Sequence, residues 1–147
     1  MRARLAIVVL IATLAPMAAA YGLGAAGAGT SDPPLGPGIV TVDVDIHYSR
    51  FSIGDLRVYE GTLVRFVVTN RDPIRHELIV GPDEVHAAHE QGHDAFHPPV
   101  PGEVSVDAGE TGLTTYRFDD PGEVRFACHL PGHVAYGMEG TVTVVPA

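Results

Sequence analysis

Apolar and polar residues alternate with period two from Gly38 onward, and this alternation is the strongest limit on what the chain can fold into. Val40, Val42, Val44 and Ile46 alternate with Thr41, Asp43, Asp45 and His47, the pattern of a strand with one buried face. Leu56-Arg57-Val58 reads as a short second strand ended by Glu60-Gly61, and Val64, Phe66 and Val68 as a third, stopped by the turn Asn70-Arg71-Asp72-Pro73. His76, Leu78 and Val80 share one face of a fourth. Gly81-Pro82-Asp83 ends it and leads into the one expected helix, Glu84 to Ala95, closed by Pro98-Pro99. Further strands are expected around Val104 and Val106, around Leu113 to Arg117, on the face shared by Val124, Phe126 and Cys128, and over Thr141 to Val145. Short strands at this spacing, separated by Gly/Pro turns, describe an all-β protein, a Greek-key β-sandwich with one short His-rich helical insert. There is no internal repeat.

The first residues read differently. Arg2 and Arg4 precede an apolar stretch, Leu5 to Ala15, followed by Pro16 and the small residues Ala18-Ala19-Ala20. Residues 1–20 therefore read as a signal peptide with a cleavage site; Pro16 and the glycines that follow argue against the alternative, an uncleaved membrane anchor. Residues 21–37 are rich in Gly, Ala, Pro and Ser and read as a flexible linker ahead of a domain at 38–147. The location expected is periplasmic, extracellular or at the cell surface.

Export gives meaning to the single cysteine, Cys128, because a lone thiol in an oxidising compartment is a liability unless something occupies it. Cys128 opens the run Cys128-His129-Leu130-Pro131-Gly132-His133-Val134-Ala135-Tyr136-Gly137-Met138, which places an imidazole five residues after the thiol and a thioether five after that. Thiolate, imidazole and thioether are three of the four donors of a copper site that cycles between Cu(I) and Cu(II). The second imidazole has a candidate upstream in His76. In a sandwich, turns cluster at the ends of the sheets, so a strand-borne His76 can meet the 128–138 loop.

With Cys128-x4-His133-x4-Met138 ahead of a C-terminal strand, and a histidine on an upstream strand, the span from Gly38 to Ala147 resembles the cupredoxins, the plastocyanin/azurin-like blue-copper proteins. The resemblance implies one type 1 copper per chain, with His76, Cys128 and His133 equatorial and Met138 axial. It also implies electron transfer as the activity, with no catalytic residues of its own. Two positions depart from the family pattern. Plastocyanin-like proteins commonly carry Asn after the first ligand histidine, bracing the ligand loop; here the residue is Glu77, whose strand position turns it away from the His76 face, toward the surroundings of the ligands or solvent. His129, directly after the cysteine, resembles the type 1 segment of multicopper oxidases, in which that histidine binds a second copper centre. The chain lacks the His-x-His pairs and further domains such enzymes need, so His129 reads as a loop imidazole on the opposite side of the strand.

In the insert, His86, His89, His93 and His97 are spaced 3, 4 and 4 apart, one stripe on a helix, with Glu84, Glu90 and Asp94 beside them. The stripe is a candidate secondary site for Cu(II) or Zn(II), weighed against a solvated helix face or a lid over the copper. His47 falls on the polar face of the first strand and is expected to be exposed.

The chain carries nine Arg and no Lys against eighteen acidic residues, a net charge of −9 that becomes −11 if Arg2 and Arg4 are cleaved away. No basic stripe remains, which excludes nucleic acid as a partner class and favours a soluble monomer. The leading expectation is a small exported carrier that passes single electrons to or from a redox protein, such as a cytochrome or a copper oxidase, docking near His133. A copper-binding or trafficking protein using the histidine insert is the alternative. A laccase- or nitrite-reductase-like enzyme assembled by trimerisation is a third.

Overall fold

A computed structural model describes residues 33–92 and 100–147. The expected signal peptide, most of the expected linker, and His93, His97 and the Pro98-Pro99 helix stop lie outside the described residues. Among the described residues, eight strands run in chain order: β1 Ile39–Ile46, β2 Leu56–Tyr59, β3 Thr62–Asn70, β4 His76–Gly81, β5 Glu103–Val106, β6 Thr111–Phe118, β7 Gly122–Ala127 and β8 Glu139–Val145. The same residues hold a helix, α1, over Asp83–Glu90 and a 3-10 turn over Val134–Tyr136.

The strands form two sheets of a Greek-key β-sandwich, one ordered β1-β3-β6 and the other β2-β8-β7-β4-β5. Two pairs, β1 with β3 and β2 with β8, are parallel; alternation alone does not distinguish them from antiparallel neighbours. The alternation itself holds: Val44, Ile46, Val64, Phe66, Val68, Leu78, Val80, Phe126, Val142 and Val144 all face inward and are buried. Phe126 fills the space opposite Gly140, where an added Cβ would lie 2.3 Å from the ring, so only glycine fits β8 at that point. Leu35, inside the expected linker, is already tied down: it exchanges hydrogen bonds with Arg57 O and Tyr59 N and packs against the core.

The register of β4 on β7 brings the two motif segments together. Ile79 pairs with Ala127, and continuing that antiparallel register beyond the strand end sets Glu77 opposite His129 and Leu78 opposite Cys128. Even-numbered residues on both segments point into the sandwich, so His76 and Cys128 become diagonal neighbours on the inner face. Odd-numbered residues point outward. There, however, α1 packs against β4, and Ile79 is buried with 2% exposure.

Candidate metal centre

His76 opens β4 and Cys128 follows the last residue of β7, and both are fully buried. One donor atom from each of His76, Cys128 and His133 lies within 4.8 Å of the others, and Cys128 Sγ is 3.3 Å from His133 Nδ1. Backbone hydrogen bonds set the loop that carries two of them. Cys128 N–H donates to Met138 O at 3.0 Å, and Met138 N–H to His133 O at 3.0 Å, closing the loop on itself. Gly137, with φ of 83°, turns the chain from the 3-10 segment back into β8, and Arg50 reaches over from the β1–β2 connection to donate to Tyr136 O. Met138 ends up buried at the base of the loop.

The tautomer of His76 follows from its partners. Its Nε2 lies 3.0 Å from Asp72 Oδ2, and a carboxylate can only accept, so Nε2 carries the proton. That leaves Nδ1 a bare lone pair, buried and without a hydrogen-bond partner, beside a thiol and a second imidazole. A buried acceptor with nothing to accept from is unfavourable unless a cation meets it. One soft sulfur and two imidazole nitrogens suit copper, and the residues fit the ion.

Asp72 fixes this arrangement. Its Oδ1 accepts Tyr48 N–H and its Oδ2 accepts Ser49 N–H, each at 2.7 Å, in a turn where Tyr48 and Ser49 both have left-handed backbones, φ 53° and 51°. Burial pushes the Asp72 carboxyl up, but these two N–H groups and His76 outweigh it and hold its pKa below the usual carboxylate range. Sequence reasoning saw Asp72 only as a turn residue; a carboxylate four residues before the strand histidine was the available signal.

Burial raises the Cys128 thiol to about 11, against the opposing effect of Glu77 and Leu130 N–H groups aimed at the sulfur. At neutral pH the thiol is therefore protonated until a metal ion displaces its proton. Burial and the neighbouring His76 lower His133. Both effects favour the neutral imidazole that can donate a lone pair.

Glu77 faces outward as expected, and of its two expected surroundings it takes the one next to the ligands. Its Oε1 accepts His129 N–H at 2.8 Å, bracing the peptide next to Cys128, the job expected of Asn at this position. His129 is not a loose loop imidazole: its side chain is 1% exposed, packed between α1 and the sheet, with Nε2 2.7 Å from His86 Nδ1. Burial, with His86 next to it, brings its pKa down to about 4.

His86 and His89, the two described histidines of the stripe, likewise face the protein, not solvent. His86 is buried, its Nε2 between Gly81 O and Arg125 O at 3.1 and 3.2 Å, and His89 Nε2 meets Glu103 Oε2 at 2.9 Å. On the outer face of the sheet α1 buries His86 and His89 by pairing them with carbonyls, a carboxylate and the His129 ring. His86 and His89 are thus engaged separately rather than converging on a shared point. His47 is exposed as expected, 3.5 Å from Asp72.

The sandwich and its inward-facing donor set define a cupredoxin, a blue-copper protein. The chain belongs to the plastocyanin/azurin family of copper binding proteins, whose family model matches residues 39–145. Across 157 residues it is 36% identical to the copper-resistant cuproprotein CopI of Rubrivivax gelatinosus, covering 97% of this chain and 94% of that protein. It is 34% identical over 111 residues to auracyanin-B of Chloroflexus aurantiacus, covering 65% of this chain but only 47% of that protein, about half its length. A solved structure of auracyanin B superimposes with a TM-score of 0.59 at 28% identity, covering 72% of this chain and 88% of that one. Copper is the cofactor, one ion per cupredoxin domain.

Proposed function

We propose that the chain is an exported electron carrier whose copper would be held by His76 Nδ1, Cys128 Sγ and His133 Nδ1, with the Met138 thioether as a fourth, weaker donor. The observation that carries this reading is the bare, buried Nδ1 of His76, on a residue whose donor atom lies within 4.8 Å of a thiol and a second imidazole. Copper bound there supplies one-electron chemistry between Cu(I) and Cu(II). The chain's own residues do the rest. Asp72 keeps the proton on His76 Nε2 and so keeps Nδ1 turned toward the ion; the Glu77 and Leu130 N–H groups stabilise negative charge on the sulfur. β4, β7 and the 128–138 loop are cross-braced by backbone hydrogen bonds, so the donors change position little between oxidation states. His133 is half-buried beside exposed Pro131 and Gly132, giving a redox protein such as a cytochrome or a copper oxidase an edge to approach. The chain performs no substrate chemistry of its own in this reading.

A role in copper tolerance is the second reading, favoured by the end-to-end likeness to a protein named copper-resistant. The test is voltammetry of the copper-loaded protein together with copper transfer to a chelator. A reversible one-electron wave with copper retained for hours supports the carrier. Rapid loss of the thiolate-bound copper, or an irreversible wave, overturns it and favours copper handling.

A further inference from the structure

On the outer face of the sheet, across from the thiol, the hydrogen-bond order of two buried histidines leaves a second nitrogen bare. His86 Nε2 sits between two carbonyl oxygens, Gly81 O and Arg125 O, which only accept, so Nε2 carries the His86 proton. A neutral His86 then offers a lone pair at Nδ1, and His129 Nε2, 2.7 Å away, must donate to it. His129 is left with an unprotonated Nδ1. That atom is buried and has no hydrogen-bond partner. The reverse order fails, because a proton on His86 Nδ1 would strip Nε2 of its own and set a lone pair against two carbonyl oxygens.

The group that faces this bare nitrogen is another acceptor. Glu90 Oε1 lies 3.6 Å from His129 Nδ1, too far for a hydrogen bond. Two donors bound at about 2.0–2.1 Å to one tetrahedral ion stand about 3.3–3.4 Å apart, so the observed spacing is within about 0.3 Å of a shared metal edge. An open cleft of about 400 Å³, lined by Glu90, His129 and loop residues including Leu130, Pro131 and Val134, adjoins the pair and admits water to complete a coordination shell. Arg125 Nη1 holds the same Glu90 oxygen at 3.3 Å, but Arg125 also pairs with Glu139 at 2.8 Å and keeps that partner if Glu90 turns to an ion. His89 stacks on the His129 ring at 5.9 Å between centroids and fixes its plane.

We propose that His129 Nδ1 and the Glu90 carboxylate form a second cation site, for a borderline divalent ion such as Zn(II) or Cu(II), one residue along the chain from the Cys128 thiol and on the opposite face of the sheet. It differs from the stripe of helix histidines that the sequence suggests, since His86 serves only to orient His129. The site does not depend on what the thiolate centre does.

The full-length protein is first filled with one equivalent of Cu(II), which occupies the thiolate centre and reports on it through the visible band, and is then titrated with Zn(II) by calorimetry. A second equivalent should bind, weakened at least tenfold in Glu90→Gln and in His129→Ala, and unchanged in Glu84→Gln, an exposed acid on the same helix. If His129→Ala fails to fold, Glu90→Gln decides alone, because Glu90 is a surface residue. No Zn(II) uptake, or uptake of equal strength in Glu90→Gln, overturns the site. Loss of the visible band in the unmodified protein would instead count against the blue-copper reading.

Discussion

Replacing Asp72 by Asn tests how the fold holds its strand histidine, because the two side chains have the same shape but different hydrogen-bonding capacity. Asp72 is 7% exposed and receives three donors, Tyr48 N–H at Oδ1, and Ser49 N–H and His76 Nε2–H at Oδ2. Asn keeps one oxygen. Placed at the Oδ2 position, it retains two bonds, now neutral, and sets its NH2 against Tyr48 N–H, donor facing donor. Losing one hydrogen bond to a charged group costs about 1.5–3 kcal/mol, and weakening the other two adds about half as much again, for a total of about 3 kcal/mol. The left-handed backbones of Tyr48 and Ser49 make relaxation of the turn unfavourable, so little of this is recovered. For a domain near 110 residues, about 4 °C per kcal/mol gives a fall in Tm of about 12 °C. Thermal unfolding of the metal-free wild type and variant measures it directly. The reduction potential of the copper form should rise as well, since a carboxylate on the outer nitrogen of His76 favours Cu(II). A fall below about 3 °C with an unchanged potential would refute this role for Asp72.

Other substitutions probe other parts of the same structure. Gly102→Ala places a Cβ 2.3 Å from Val80 O at a residue with φ of 92°, and should destabilise the domain by about 2–4 kcal/mol in urea unfolding; a cost under about 1 kcal/mol would mean the loop before β5 can move aside. Glu77→Ala removes the brace on His129 N–H and leaves that donor half-buried, so stability should fall by about 1–3 kcal/mol with a broadened copper EPR signal, whereas an unaltered signal would show that the loop holds itself. Met138→Leu preserves the packing of a fully buried side chain and should keep the blue colour while raising the potential; an unchanged potential would show that the thioether does not face the copper.

Much of this molecule is legible from spacing. Period-two alternation places the strands, because one face of each is buried, and the same parity places His76 and Cys128 on the inner face. What alternation does not carry is the partner on the other face. Glu77 and His129 sit at outward positions, where alternation by itself suggests solvent; instead Glu77 bonds the His129 peptide, and His86 and His89 turn in from α1 onto the His129 ring. Pairing direction is equally invisible, since parallel and antiparallel neighbours share the same period, and the β1–β3 and β2–β8 pairs emerge only from the folded sheets. Asp72 escaped notice for a related reason: Asn-Arg-Asp-Pro reads as a turn, and the four-residue spacing to His76 is the one local hint that the turn closes over a histidine.

The most direct test is the visible and EPR spectrum of the domain loaded with one equivalent of Cu(II), recorded beside the Cys128→Ser variant under the same conditions. A thiolate-bound copper gives an intense visible charge-transfer band at one copper per chain in the wild type and none in Cys128→Ser. A band that survives the loss of the only thiol, or a wild type that binds copper without one, would contradict the assignment of His76, Cys128 and His133 to a single centre.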